Sequence, residues 1–188
     1  FANSSSLQYN SSAPVNDNCE NATPLTVNAS NICTVTTAGT VACAGASPQA
    51  TGCTGGTADD DVWYSFVATA TSQFVSLNNV AGSTTDMYFS VYSGSCGSLT
   101  NIACIDNNSG TVSGLTVGNT YFIRVYTYTS TSGQTSTFDM CVATPAPTAL
   151  CDGADPFCTG TTYSFPAGVN TGTGELGPDY GCLSSTPN

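Results

Sequence analysis

Alternating hydrophobic and polar positions recur along most of the chain. The clearest segments are "DMYFSVYSG" at 86–94 and "TYFIRVYTYT" at 120–129. A period of two is typical of β-strands, because successive side chains point to opposite faces. Similar runs are "PLTVNA", "DVWYSFVATA", "QFVSLNNV" and "STFDMCVA", separated by clusters of Gly, Asn and Ser. No segment carries a helical stripe. The pattern predicts an all-β chain folded as an antiparallel, jelly-roll-like β-sandwich.

The strand pattern has clear limits along the chain. It is preceded by the small, polar segment 1–14, which we interpret as an N-terminal linker or arm, and it fills residues 15–143. The segment 144–150 is a stiff Pro/Ala linker. Residues 151–188 are rich in glycine and too few to bury a core without disulfides, so they indicate a disulfide-tied, partial second module or a disulfide-tied cap on the first.

The charge composition excludes several functions. The chain has a net charge of −11, no histidine, and Arg124 as its single basic residue. Nucleic acids and anionic membranes require basic patches, so neither is an expected partner, and no apolar run is long enough to insert into a membrane. Ser-His-Asp, Cys-His and lysine Schiff-base chemistry are impossible. A carboxylate pair for glycoside hydrolysis is the remaining catalytic option. Because nothing in the spacing favours such a pair, we expect no enzyme.

Ten cysteines in a histidine-free chain indicate disulfide bonds, and hence an extracellular or cell-surface protein in an oxidising environment. Short loops predict the pairs Cys96–Cys104, Cys43–Cys53 and Cys158–Cys182. The remaining Cys19, Cys33, Cys141 and Cys151 allow three connectivities.

Acidic residues cluster where strands begin. The stretch "TADDDVWYSF" places Asp59, Asp60 and Asp61 directly before an aromatic strand, and adjacent carboxylates repel each other unless a cation is near. Calcium prefers such oxygen ligands on loops, although Asp and Asn also favour turns for local reasons. We expect Asp59 to face solvent and Arg124 to form an ion pair with one aspartate, packed on tyrosine rings. Further acidic candidates in turns are Asp17, Asp86 and Asp106.

Aromatic side chains alternate along the predicted strands, so half of them should face the core. The outward half has two interpretations: cross-strand pairing, which we favour, or a platform on which a sugar or peptide stacks. The residues concerned are Trp63, Tyr64, Phe66, Tyr88, Phe89, Tyr92, Tyr121, Phe122, Tyr126 and Tyr128.

Five motifs in order carry a resemblance: "APVNDNCENATPLTV", "DDDVWYSFVATATS", "DMYFSVYSGSCGSLTNIACID", "GLTVGNTYFIRVYTYT" and "FDMCV". The segment from about 14 to 143 resembles jelly-roll repeats related to the bacterial pre-peptidase C-terminal domain. Those repeats occur in secreted and cell-surface proteins of gliding Gram-negative bacteria that export through the type IX system. The tail resembles the start of another module, which implies that the chain is a fragment. Cys43 is extra relative to the usual pattern.

The resemblance implies a non-catalytic, often calcium-associated β-sandwich. It places the cation site on Asp17, Asp60 and Asp61, joined by Asp86 and Asp106. We therefore expect a calcium-stabilised extracellular module with an adhesive or structural role in an extracellular assembly. The alternative is a carbohydrate- or protein-binding accessory of a secreted hydrolase. Expected partners are other copies or modules of the same surface protein, joined by strand addition from the N-terminal arm, or an extracellular glycan or protein.

Overall fold

The computed structural model describes residues 12–145, in which the alternating segments form β-strands. This part of the chain contains one short 3-10 helix, Cys19–Asn21, and no helix long and apolar enough to cross a membrane. The strands are β1 (Thr23–Pro24), β2 (Val27–Asn28), β3 (Thr37–Thr40), β4 (Val62–Val67), β5 (Ser72–Ala81), β6 (Met87–Ser95), β7 (Ser98–Ile105), β8 (Ser109–Ser113), β9 (Thr120–Thr127) and β10 (Thr137–Ala143).

Two sheets stack to form a sandwich. Sheet A has the order β1-β4-β9-β6-β7, and sheet B has the order β2-β10-β5-β8, with β3 also paired to β10. The long strands pair antiparallel. The two-residue strands β1 and β2 instead run parallel to β4 and β10. The predicted all-β sandwich is confirmed, with the difference that both sheets are mixed.

The hydrophobic core lies between the sheets and uses one face of each strand. In β4, Val62, Tyr64 and Phe66 belong to this core, whereas Trp63 lies in a separate cluster on the other face of sheet A. Tyr64 packs edge-on against Phe138 of sheet B, with ring centroids 6.1 Å apart. Burying a side chain of this size contributes roughly 1.5–3 kcal/mol, so the alternation decides which face of each strand is covered. Other strands contribute Val75, Leu77, Met87, Phe89, Val91, Val112, Tyr121, Ile123, Val125, Met140 and Val142.

Three disulfide bonds join the described residues: Cys19–Cys96, Cys33–Cys141 and Cys53–Cys104. The predicted pairs Cys96–Cys104 and Cys43–Cys53 are therefore wrong. Cys43 is exposed and has no disulfide partner within residues 12–145. The Cys33–Cys141 bond is one of the pairings that the sequence left open. The predicted Cys158–Cys182 bond, like Cys151, lies outside the described residues.

Strand β7 explains why the predicted short bridge fails. Cys96 lies in the turn between β6 and β7, and Cys104 lies near the far end of β7. The extended stretch from Ser98 to Cys104 carries the chain roughly 20 Å away from the turn that holds Cys96, whereas a disulfide requires Cα atoms less than about 7 Å apart. The segment interpreted as a loop between the two cysteines is in fact a strand.

The last strand of the sandwich ends at Ala143, where the predicted module also ends. The predicted linker 144–150 reaches beyond the last described residue, and the predicted second module 151–188 lies entirely outside. The division into these segments stays a prediction.

Candidate functional site

Residues 41–61, between β3 and β4, form no strand and lie across the outer face of sheet A. We call this segment the strap. Arg124 of β9 donates hydrogen bonds to the strap carbonyl oxygens of Gln49 (2.6 Å) and Ser47 (3.1 Å). The Tyr92 hydroxyl of β6 donates to the carbonyl oxygen of Thr51 at 2.8 Å. The Cys53–Cys104 bond then fixes the strap to β7, so three strands of sheet A hold it in place.

The strap covers aromatic rings that would otherwise face solvent. Trp63, Tyr92 and Tyr126 are at most 1% exposed, and Tyr88 is 6% exposed. Tyr88 and Tyr126 stack with their centroids 5.3 Å apart. Of the outward aromatic row, Tyr128 remains substantially open, at 46% exposure. Most of the row is therefore packed beneath the strap and is not available as a stacking platform.

Two strap glycines allow this close approach. A Cβ atom on Gly55 would lie 2.9 Å from Cε2 of Tyr88, and one on Gly56 would lie 2.8 Å from Cε2 of Tyr126. Gly56 also has a φ of 70°, a conformation that residues with a Cβ rarely adopt. The "TGG" sequence of the strap thus lets backbone lie directly on the tyrosine rings.

A buried ion pair anchors the end of the strap. Asp61 Oδ1 accepts hydrogen bonds from Arg124 Nη2 at 3.0 Å and from the Ser47 N–H at 2.8 Å. Asp61 Oδ2 accepts from the Ser47 hydroxyl at 2.6 Å, and that hydroxyl in turn accepts from Trp63 Nε1 at 2.8 Å. The side chains of Arg124 and Asp61 are 1% and 0% exposed.

The predicted ion pair between Arg124 and an aspartate is confirmed by this contact. The guanidinium packs over a different ring from the one expected, because its Cζ lies 5.4 Å from the Trp63 ring. Both oxygens of Asp61 are engaged by protein donors. Asp61 was a predicted calcium ligand, but both of its oxygens already accept hydrogen bonds from protein groups.

Asp60 occupies a different environment, although it is the adjacent residue. Its carboxylate is fully buried and Oδ1 accepts from the Thr127 hydroxyl at 3.2 Å, but Oδ2 has no hydrogen-bond partner. Oδ1 of Asp59 is also buried without a partner, which differs from the predicted solvent-facing position. Burial, together with the negative charge of Asp59, raises the pKa of Asp60 to about 6. Two buried carboxylate oxygens without donors are an arrangement that a cation would stabilise.

The other predicted metal ligands do not join this pair. Asp17 accepts a hydrogen bond from the Gly45 N–H at 2.7 Å, at the start of the strap. Asp86 and Asp106 are exposed in turns next to β6 and β7. Within residues 12–145, no three acidic or cysteine side chains are grouped as a metal site would group them.

A groove on the outer face of sheet B was not anticipated from the sequence. Its cavity volume is about 280 Å³, and it is lined by Asn31, Phe74, Thr111 and Pro145. Phe74 is the outward aromatic side chain of β5, and Asn31 lies in the loop that the Cys33–Cys141 bond fixes to β10. The alternation in "QFVSLNNV" signals an outward Phe74. The loop that holds Asn31 comes from a distant part of the chain, and no local sequence pattern predicts that it lies beside Phe74.

Comparison with known protein families identifies a family to which the chain is similar. A family model described as galactose binding domain-like, for domains associated with type IX secretion, matches residues 15–165. No curated protein matches the chain.

Proposed function

The chain belongs to the galactose-binding-domain-like family associated with type IX secretion, and we propose that it is a non-catalytic, calcium-stabilised module with an adhesive or structural role. The family and the three disulfide bonds fit an extracellular or cell-surface location. The family also agrees with the expected type IX association. The relation to pre-peptidase C-terminal repeats stays a prediction.

The observation that carries the proposal is the buried contact between Asp61 and Arg124. The single basic side chain of the protein is 1% exposed and is used to fix the strap to sheet A. A catalytic or substrate-binding arginine must reach its substrate, whereas this one contacts protein atoms on three sides. The buried position of Arg124 therefore supports a structural role for its positive charge.

We place the proposed calcium ion at Asp59 and Asp60. One buried oxygen of each, Oδ1 of Asp59 and Oδ2 of Asp60, lacks a donor, whereas both oxygens of Asp61 accept hydrogen bonds from Arg124 or Ser47. Carboxylate and main-chain carbonyl oxygens are the ligands calcium prefers. A bound cation would neutralise two adjacent carboxylates at the end of the strap and so stabilise the start of β4.

Thermal denaturation with added calcium and with EDTA tests this site. We expect calcium to raise the Tm of the wild-type chain, because a ligand at a hundredfold excess over its Kd stabilises the folded state by about 2.7 kcal/mol. Asp60→Asn should lose this response. Asp86→Asn is the matched control, since it removes an exposed carboxylate and should respond like the wild type. An unchanged wild-type Tm, or an equal response of Asp60→Asn, contradicts the site.

A second candidate function is carbohydrate binding as an accessory of a secreted hydrolase. It is favoured by the groove on sheet B, which the half-buried Phe74 lines together with the polar residues Asn31 and Thr111. An aromatic face with adjacent polar groups suits a sugar ring. Calorimetric titration with galactose tests it: Phe74→Ala should abolish binding, whereas Tyr128→Ala on the other sheet should not. If the wild-type chain does not bind galactose, or if both variants bind it equally, the groove is not the sugar-binding site.

A further inference from the structure

We propose that β7 is an acceptor edge for a β-strand donated by residues 1–11 of a second copy of this chain. The inference rests on the proposed structural role in an extracellular assembly. It assigns to that assembly one contact surface and one partner segment.

Strand β7 is long and accessible at the edge of sheet A. It has eight residues and pairs with β6 on one side. Each of its residues is exposed or half-buried, whereas β4 and β9, in the interior of the sheet, are mostly buried. The unpaired side of such a strand presents N–H and C=O groups that can pair with another strand.

The usual protection of an edge strand is largely missing from β7. Natural edges are commonly short, or carry charged residues or proline, but 98–105 contains neither a charge nor a proline. The edge strands β1 and β2 have two residues each, and β8 has five. The protective features of β7 are a bulge opposite Val91 and Tyr92, which leaves pairing positions on both sides, and the strap bonded to it at Cys104.

The N-terminal segment has the properties of a donor. Residues 1–11, "FANSSSLQYNS", contain no charged side chain and no proline, so no side-chain repulsion opposes their pairing with β7 despite the net charge of −11. Extended, they reach up to roughly 36 Å, which exceeds the roughly 26 Å of β7. Leu7 and Tyr9 would share one face and would extend the row of Ala103 and Ile105 at the margin of the core.

The covered outer face of sheet A favours a second copy over the same chain as the donor. Asn16 exchanges two hydrogen bonds of 2.8 Å with the backbone of Trp63, so the described chain starts beside β4. Strands β9 and β6 separate β4 from β7, a distance of roughly 15 Å at normal strand spacing. The strap and the Cys19–Asn21 helix occupy the outer face between them. Because the described chain starts beside β4 and β7 lies at the edge of sheet A, each copy can donate to the next in an open row.

Sedimentation and light scattering of the full chain test this contact. We expect concentration-dependent association of the full chain and monomers after removal of residues 1–11. A synthetic peptide of residues 1–11 should bind the shortened chain. Thr100→Lys, which places a charge at an exposed position of β7, should weaken peptide binding at least tenfold.

The matched control is Ser113→Lys, which places the same charge at an exposed position of β8, the edge strand of sheet B. It should leave peptide binding unchanged. A monomeric full chain, association that survives removal of residues 1–11, or equal effects of the two lysine variants would overturn the proposal. Each measurement is made in calcium and in EDTA, so that failure of the calcium site appears in the Tm and failure of strand addition appears in the molecular mass.

Discussion

Replacing Arg124 by methionine is the strongest test of how the outer face of sheet A is held together. Methionine preserves much of the aliphatic stem but removes three hydrogen bonds, to Asp61, Ser47 and Gln49. Asp61 would then be a buried carboxylate without its cation. Removing one partner of a buried pair costs about 3–5 kcal/mol, which for a chain of this size lowers the Tm by roughly 6–20 °C.

The assay combines urea or thermal unfolding with the fluorescence of Trp63, the single tryptophan of the chain. Trp63 is fully buried beneath the strap and lies under the Arg124 guanidinium. Loss of the strap contacts should expose the indole and shift its emission to longer wavelength, while the far-ultraviolet circular dichroism of the sheets is retained. Arg124→Lys should be intermediate, because a lysine keeps the charge but lacks the planar fork.

A double-mutant cycle separates the pair from its surroundings. Asp61→Asn alone should also destabilise the fold, but the combined Asp61→Asn and Arg124→Met variant should be less destabilised than the sum, with a coupling of about 1–3 kcal/mol. Asp106→Asn, at an exposed position, should change the free energy of unfolding by no more than about 0.5 kcal/mol. An Arg124→Met variant within about 1 kcal/mol of the wild type, or strict additivity in the cycle, would refute the assignment.

Two further predictions concern the strap. Replacing Cys53 and Cys104 together by serine opens a bridge with a sequence separation of 51, which should lower the free energy of unfolding by about 4 kcal/mol on chain-entropy grounds; Cys43→Ser should have little effect in urea unfolding, and equal losses would contradict the pairing. Gly56→Ala should cost about 1–3 kcal/mol by the same measurement, because the new Cβ meets a tyrosine ring and the φ of 70° is unfavourable. Gly97→Ala, with no atom within 4 Å of its Cβ, is the control, and a neutral Gly56→Ala would show that the strap does not lie closely on the rings.

The strands that sequence analysis located share a strong local signal. In β6 and β9 every second side chain is large and apolar. Because this row must be buried, it identifies the face of each strand that turns to the core, even when the neighbouring strand is unknown. Strand β7 was missed because "SLTNIACI" has small and polar side chains, carries a bulge, and lies between two cysteines that suggested a closed loop. Its identification depends on its pairing with β6.

The candidate site also has one feature that the sequence predicts and one that depends on the tertiary structure. The pairing of Arg124 with an aspartate follows from composition, since a single buried cation requires an anion. The choice of Asp61 over Asp59 and Asp60 does not, because it depends on where the strap returns over β9. In the folded chain Asp61 reaches the guanidinium, whereas the adjacent Asp60 reaches Thr127.

By itself, the sequence determined the fold class, the inward face of the long strands and the extracellular chemistry, because alternation, charge and cysteine content are local or additive properties. The tertiary structure decided which cysteines pair, which aspartate is neutralised by Arg124 and whether the outward aromatic rings face solvent. Those outcomes depend on contacts between segments distant along the chain: Asp61 and Arg124 are 63 residues apart, and Cys33 and Cys141 are 108 apart. No local pattern encodes such a separation, because register and the path of the strap are set by the packing of the whole sandwich.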